Sequence, residues 1–193
     1  MKRRWLALLP LLAGCGYNTI QTYDERANQA KAQIEVQLQR RADLIPNLVA
    51  TVKGYATQEE RIFTNVANAR AGLLGAIKSG DPSQMANANA ELGGALGRLL
   101  AISEAYPQLK SDQNFLRLQD QLEGTENRVA VARTDYNGAA EQFNAYIRKF
   151  PTVITAKVIG SKPRPYFEVT TPGAKEAPTV DFSKEGAGAS KVP

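Results

Sequence analysis

The side chains able to do chemistry in this chain are few in kind. Among 193 residues there is no histidine and one cysteine, Cys15. That removes Ser-His-Asp and Cys-His nucleophile pairs, His-ligated zinc, iron or haem, and any disulfide within the chain. A di-iron helical site, which needs a Glu-x-x-His on each of two helices, is excluded on the same ground. What remains is carboxylate. Asp24 with Glu25, Glu59 with Glu60, and Glu123 with Glu126 are the pairs whose spacing suits acid–base work. Structural pairing is the stronger expectation for them. Glu59 falls on a helical apolar seam and Glu126 lies one step from one, so either can turn inward towards Arg40, Arg41 or Arg128. The expectation is a buried polar network of Glu59, Glu126 and Arg128, which would fix register more than it adds stability. Catalysis is not expected, and neither is a metal or a cofactor.

Two cationic motifs are candidates for recognition. Arg40-Arg41, beside Asp43 and Asn47, can cap a helix junction or offer a planar fork to a partner carboxylate or lipid phosphate. Lys162-Pro163-Arg164-Pro165-Tyr166-Phe167 combines two prolines that pre-set an extended backbone with two cations and two aromatics. A partner that reads polyproline could take it, or Tyr166 and Phe167 could tack the segment onto the chain's own surface.

Cys15 has its own context. Lys2, Arg3 and Arg4 precede an apolar stretch from Trp5 to Ala13. As a helix that stretch rises only ~14 Å, under half of a ~30 Å hydrocarbon core, so it reads as an export signal rather than a membrane span. Leu12-Ala13-Gly14-Cys15 resembles the lipobox of bacterial lipoproteins. Residues 1–14 are therefore expected to be removed and Cys15 to be acylated, which at ~0.8 kcal/mol per buried methylene anchors the chain firmly. The expected location is extracytoplasmic, on the cell membrane or outer membrane. Gly16 in place of Asp favours forwarding to an outer membrane where the host has one. Loss of the signal also lowers the formal charge from +5 to +2. No nucleic-acid footprint remains.

The elements that must position these residues are helices. Six of the ten prolines lie in the last 43 residues and none between 108 and 150. Residues 15–150 are thus expected to form a helical domain and 151–193 an extended or disordered tail. Within the domain, apolar residues recur at alternating three and four. The seams are Ile20, Tyr23, Ala27, Ala30, Ile34 and Leu38; then Leu48 through Leu73; then Met85 through Tyr106; then Phe115 through Phe150. Gly80-Asp81-Pro82 reads as helix stop, N-cap and first helical residue, and Ser111 or Asp112 can cap the last helix. Gly93, Gly94 and Gly97 suggest close backbone approach inside the domain. Pro46 is the difficult point. The stripe runs in phase through it, but one helix from 18 to 78 would span ~90 Å and leave its first half without a partner. A turn at Asp43, with Pro46 in the first turn of a new helix, is favoured. The expected class is all-α: an antiparallel up-and-down bundle of four long helices, the first two meeting near Pro46.

Residues 33–49, Gln33-Ile34-Glu35-Val36-Gln37-Leu38-Gln39-Arg40-Arg41-Ala42-Asp43-Leu44-Ile45-Pro46-Asn47-Leu48-Val49, continue into Thr51-Val52-Lys53-Gly54-Tyr55-Ala56. Together they resemble the signature of the LemA family. Gly94-Ala95-Leu96-Gly97-Arg98-Leu99-Leu100, Leu122-Glu123-Gly124-Thr125-Glu126-Asn127-Arg128 and the Lys162–Phe167 run extend the resemblance. It implies a membrane-anchored helical bundle facing away from the cytoplasm, with a lipobox here in place of the N-terminal membrane helix of many members. It implies no reaction. The leading expectation is a lipid-anchored scaffold or binding module. Its expected partners are the membrane, through the N-terminal lipid, and an unidentified envelope protein. A carboxylate-based hydrolase would need convergent acids in a cleft, and a carrier of hydrophobic ligands would need an apolar cavity between helices.

Overall fold

A computed structural model describes residues 16–170, and every regular element in that range is helical. In chain order they are α1 (Tyr17–Lys53), α2 (Glu60–Ser79), α3 (Pro82–Ala101), the short α4 (Pro107–Lys110), α5 (Gln113–Tyr146) and α6 (Thr152–Val158), with a 3-10 turn at Ile102–Ala105.

Most of the seams read from the sequence become the core; Tyr55 and Phe150, placed on them, are exposed, since both lie past the ends of their helices. Ile34, Leu38, Leu48 and Val52 of α1 meet Val66 and Leu73 of α2, Met85, Leu92 and Leu99 of α3, and Phe115, Leu122, Val129 and Tyr136 of α5. The polar interruption in the last seam, Thr125, is buried and donates its hydroxyl to the Leu122 carbonyl at 2.8 Å. The caps also lie where expected. Gly80 takes a left-handed φ of 69°, and Asp81 accepts from the Ser83 and Gln84 amides. Asp112 accepts from the amides of Asn114 and Phe115 at the start of α5.

The expected turn at Asp43 is not there. Helix α1 runs unbroken for 37 residues with Pro46 inside it. Proline lacks an N–H, so the carbonyl four residues earlier loses its helical donor. That carbonyl belongs to Ala42, which is fully buried, and Nε of Arg70, on α2, donates to it at 2.8 Å. The neighbouring helix thus supplies the bond that the proline removes. The length objection is resolved by α5, 34 residues long and packed along α1. Ile20 near the start of α1 packs with Phe143 and Ile147 near the end of α5. Tyr55, just past α1, donates to Asp112 at the start of α5. The two rods, ~55 and ~51 Å long, are therefore antiparallel over their full lengths.

The α2–α3 hairpin has 20 residues on each arm, ~30 Å. It covers only one half of the long pair. The other half is covered by the segment after Phe150, which is neither wholly extended nor disordered as expected from its prolines. Thr152–Val158 forms α6, with Thr152 and Thr155 buried and Ala156 packed with Ile20, Phe143 and Ile147. Residues 161–170 then run back along the body and drive Phe167 into the main core. Residues 171–193 lie outside the described range.

The glycines of α3 do not mark a close approach. A Cβ on Gly94 or Gly97 would meet nothing within 4 Å, and one on Gly93 only a guanidinium nitrogen of Arg41 at 3.8 Å. The stripe faces outward.

Candidate functional site

The Lys162–Phe167 run is bound by the chain's own helices. Asn144 of α5 receives the Arg164 amide on Oδ1 at 2.7 Å and donates Nδ2 to the Arg164 carbonyl at 2.9 Å. Asn137, seven residues earlier and so on the same face of α5, treats Phe167 in the same way, at 2.8 and 3.2 Å. Between them the Tyr136 hydroxyl donates to the Pro165 carbonyl at 2.7 Å. On α3, Ser83 donates to the Tyr166 carbonyl, and Asn87 pairs with the amide and hydroxyl of Thr170. Side-chain amides thus satisfy an extended backbone as a neighbouring strand would.

The side chains follow. Arg164 donates from Nε and Nη2 to Asp24 Oδ1, at 3.1 and 2.8 Å, and from Nη2 to Asn28 at 2.8 Å. Its guanidinium also lies 5.5 Å from the centre of the Phe143 ring. Phe167 is 3% exposed. Arg164 and Phe167 are therefore fastenings of this segment, not a surface offered to a partner. Lys162 and Tyr166 are the two of the four expected residues that stay exposed. Burial pushes the Tyr136 phenol above its ordinary pKa, with the Arg164 charge acting the other way.

Arg41 was expected either at a recognition surface or as one of three cations facing an inward acid. It is 6% exposed, enclosed where α1, α3 and α5 meet. Its Nη1 donates to Asn89 Oδ1 of α3 at 2.7 Å and forms an ion pair with Glu126 of α5. Its Nε is buried without a partner. Burial lowers the Arg41 pKa, and the Glu126 charge partly restores it. The polar network is thus Arg41–Asn89–Glu126. Of the expected members only Glu126 takes part: Arg128 is exposed on α5, and Glu59 is half-buried at the start of α2 with no capping bond from its side chain. Arg40 is exposed on α1.

Two of the six carboxylates named for acid–base work are thus engaged structurally, Asp24 by Arg164 and Glu126 by Arg41. No group of His, Cys, Asp and Glu among the described residues is arranged to hold a metal ion. A groove of about 750 Å³ runs between α2 and α3, past Gly72, Gly75 and Ala88 to Gln84, Glu91 and Val169, and is open to solvent. A smaller hollow of about 240 Å³ lies against Glu126, Asn89 and Phe167.

Cys15 lies outside the described residues, but the chain's path up to it is defined. Gly16 has a φ of 115° and caps α1. A side chain placed on it would sit 3.3 Å from Tyr146 Oη and 3.4 Å from Thr152 Oγ1. The first described residue is therefore pressed against α6 at one tip of the body. No described helix is long and apolar enough to cross a membrane.

The chain matches the LemA family over residues 30–182. It is similar to two magnetosome proteins named MamQ 1 and MamQ 2 of Paramagnetospirillum magneticum, each 32% identical over 175 residues, covering 79% of this chain and 64% of theirs. A third, magnetosome protein MamQ of Magnetospirillum gryphiswaldense, is 31% identical over 174 residues, covering 78% of this chain. The chain thus spans 64% of the length of these relatives.

Proposed function

The chain belongs to the LemA family, and from that premise we propose that it is a lipid-tethered, non-catalytic scaffold of the cell envelope. In this reading Cys15 carries the lipid, the body stands on the extracytoplasmic side, and its helical faces hold an envelope protein near the membrane. The observation that carries the reading is the position of Gly16, packed against Tyr146 and Thr152 at one tip of an elongated body. A tether leaving from a tip lets two ~50 Å rods stand clear of the surface that holds them. The engagement of Asp24 and Glu126 in ion pairs favours a structural use of the acids over hydrolysis. Kinship with proteins named for the magnetosome supports a part in an assembled structure.

In-cell crosslinking of the full chain, followed by capture, tests the binding role, and replacement of Cys15 by Ser followed by cell fractionation tests the tether. The reading expects a stoichiometric envelope protein in the crosslinked product, and release of C15S from the membrane fraction. Unchanged membrane partition of C15S would remove the lipid tether. A co-purifying small molecule with no protein partner would favour a carrier instead.

A further inference from the structure

Helix α6 is assembled inside out. The side chains it buries against the body are Thr152, Thr155 and Ala156, while Val153 is half-buried and Ile154 and Val158 point to solvent. Ile154 is 55% exposed and Val158, one turn further on the same outer face, is 82% exposed. Phe150 immediately before the helix is also 82% exposed, and Ile159 at its end is 38% exposed. Ten large apolar or aromatic side chains are exposed among the described residues, and four of them fall within this stretch of ten residues. Scattered single exposed apolars need no explanation, but a contiguous patch with polar residues on the buried side marks a surface that something covers.

The charge around the patch is one-sided. From Gln142 to Phe167 there is no acidic residue, while Arg148, Lys149, Lys157, Lys162 and Arg164 are all cationic. Arg164 is held by Asp24; the other four are exposed. Exposed apolar side chains interleaved in sequence with exposed cations are the pattern of a segment lying in the interface of a bilayer with anionic headgroups. The position of the patch points the same way. Gly16, the first described residue, packs against Thr152 of this helix and directly follows Cys15, the residue read as acylated.

We propose that α6 with Phe150 is a membrane foot: Phe150, Ile154 and Val158 enter the acyl boundary while Arg148, Lys149, Lys157 and Lys162 meet lipid phosphates. The inference rests on the reading that the N-terminal end holds the chain at a bilayer, and it adds a second contact that fixes how the body stands there. A single flexible attachment leaves the rods free to tilt, whereas two contacts at one tip set their orientation. Each cation near an anionic surface raises the bound-to-free ratio about fivefold.

The test uses the processed, Cys15-acylated chain in vesicles, from which the one native tryptophan, Trp5, has left with the signal, and Phe150→Trp as the reporter. Val131→Trp, on the exposed middle of α5, is the control. In vesicles of phosphatidylcholine and phosphatidylglycerol containing bromine-labelled acyl chains, position 150 should shift to the blue and be quenched, and position 131 should not. Adding Lys149→Glu, Lys157→Glu and Lys162→Glu should lower the docked-to-free ratio by at least about a hundredfold, with helical circular dichroism unchanged. Quenching at 150 no greater than at 131, in protein that floats with the vesicles, overturns the foot and leaves the tether intact. Protein that does not float refutes the tether itself. A concentration-dependent blue shift without lipid quenching would assign the face to a second copy of the chain and also overturn the proposal.

Discussion

The bond from Arg70 to the Ala42 carbonyl makes a quantitative prediction about Pro46. Ala42 is 0% exposed, so removing the Arg70 donor leaves a carbonyl that water cannot reach. Such an orphan costs about 1–3 kcal/mol. Methionine at position 70 keeps most of the apolar stem of a half-buried arginine, so Arg70→Met should destabilise by about 2 kcal/mol, or about 4–8 °C in midpoint for a domain of this size. With Pro46→Ala, position 46 regains an N–H directed at the same carbonyl. Arg70→Met in that background should then cost under about 0.5 kcal/mol, giving a coupling of about 1.5 kcal/mol between two residues on different helices. Urea and thermal melts of the wild type, both single variants and the double variant, followed by far-ultraviolet circular dichroism, measure it. An equal loss from Arg70→Met in both backgrounds would show that the proline's missing bond is not what Arg70 replaces.

The Arg41 centre should respond asymmetrically. Glu126→Ala leaves a buried guanidinium with only Asn89 and should cost about 1–2 kcal/mol, reduced from the full value for a buried pair because the carboxylate is half exposed. Arg41→Met, which removes the buried charge and leaves an acid that water can reach, should cost less; the reverse order in a melting series contradicts the burial argument. Phe167→Ala should lower stability by about 3 kcal/mol, as for other buried phenylalanines, and truncation after Phe150 should lower it at least as much. Unchanged melting would mean that residues 151–170 only decorate the body. Because the Tyr136 pKa is raised in the folded state, its contribution is complete below the ordinary phenol value near 10 and is lost as pH rises through and above it. Alkaline melts should therefore show a stability loss, absent in Tyr136→Phe, as the phenolate repels the Pro165 carbonyl.

Much of this architecture was legible because it depends on periodicity. The seams of α1, α2, α3 and α5, the Gly80-Asp81-Pro82 junction and the Asp112 cap are local patterns and lie where their residue types place them, except at the ends Tyr55 and Phe150. The failures share one cause, which is that a residue's partner was far away in sequence. Pro46 argues for a turn only while the Ala42 carbonyl has no other donor, and nothing near residue 46 announces Arg70. Glu126 stays half exposed and reaches in only by its carboxylate; Arg41 was one of three cations offered to it, and the choice of Arg41, with Asn89, needed three helices brought together. The fastening of residues 161–170 had one unused signal: Asn137 and Asn144 are poor helix formers spaced seven apart within a long helix. Such residues need a reason to be there, and binding a backbone is one. Helix α6 was concealed by the prolines on either side of it.

The pairing of α1 with α5 also dictates an order of events during synthesis. The partner of the first rod begins about sixty residues after that rod has ended. At ~5–20 residues per second the ribosome needs several seconds to supply it. During that interval the α2–α3 hairpin can close by itself, whereas Ile20, Ala27 and Ile34 have nothing to lie against. The nascent chain thus carries an uncovered oily ridge at its leading end until almost the whole polypeptide exists. A holding chaperone, or a delay in release, is the cellular provision that such a topology calls for.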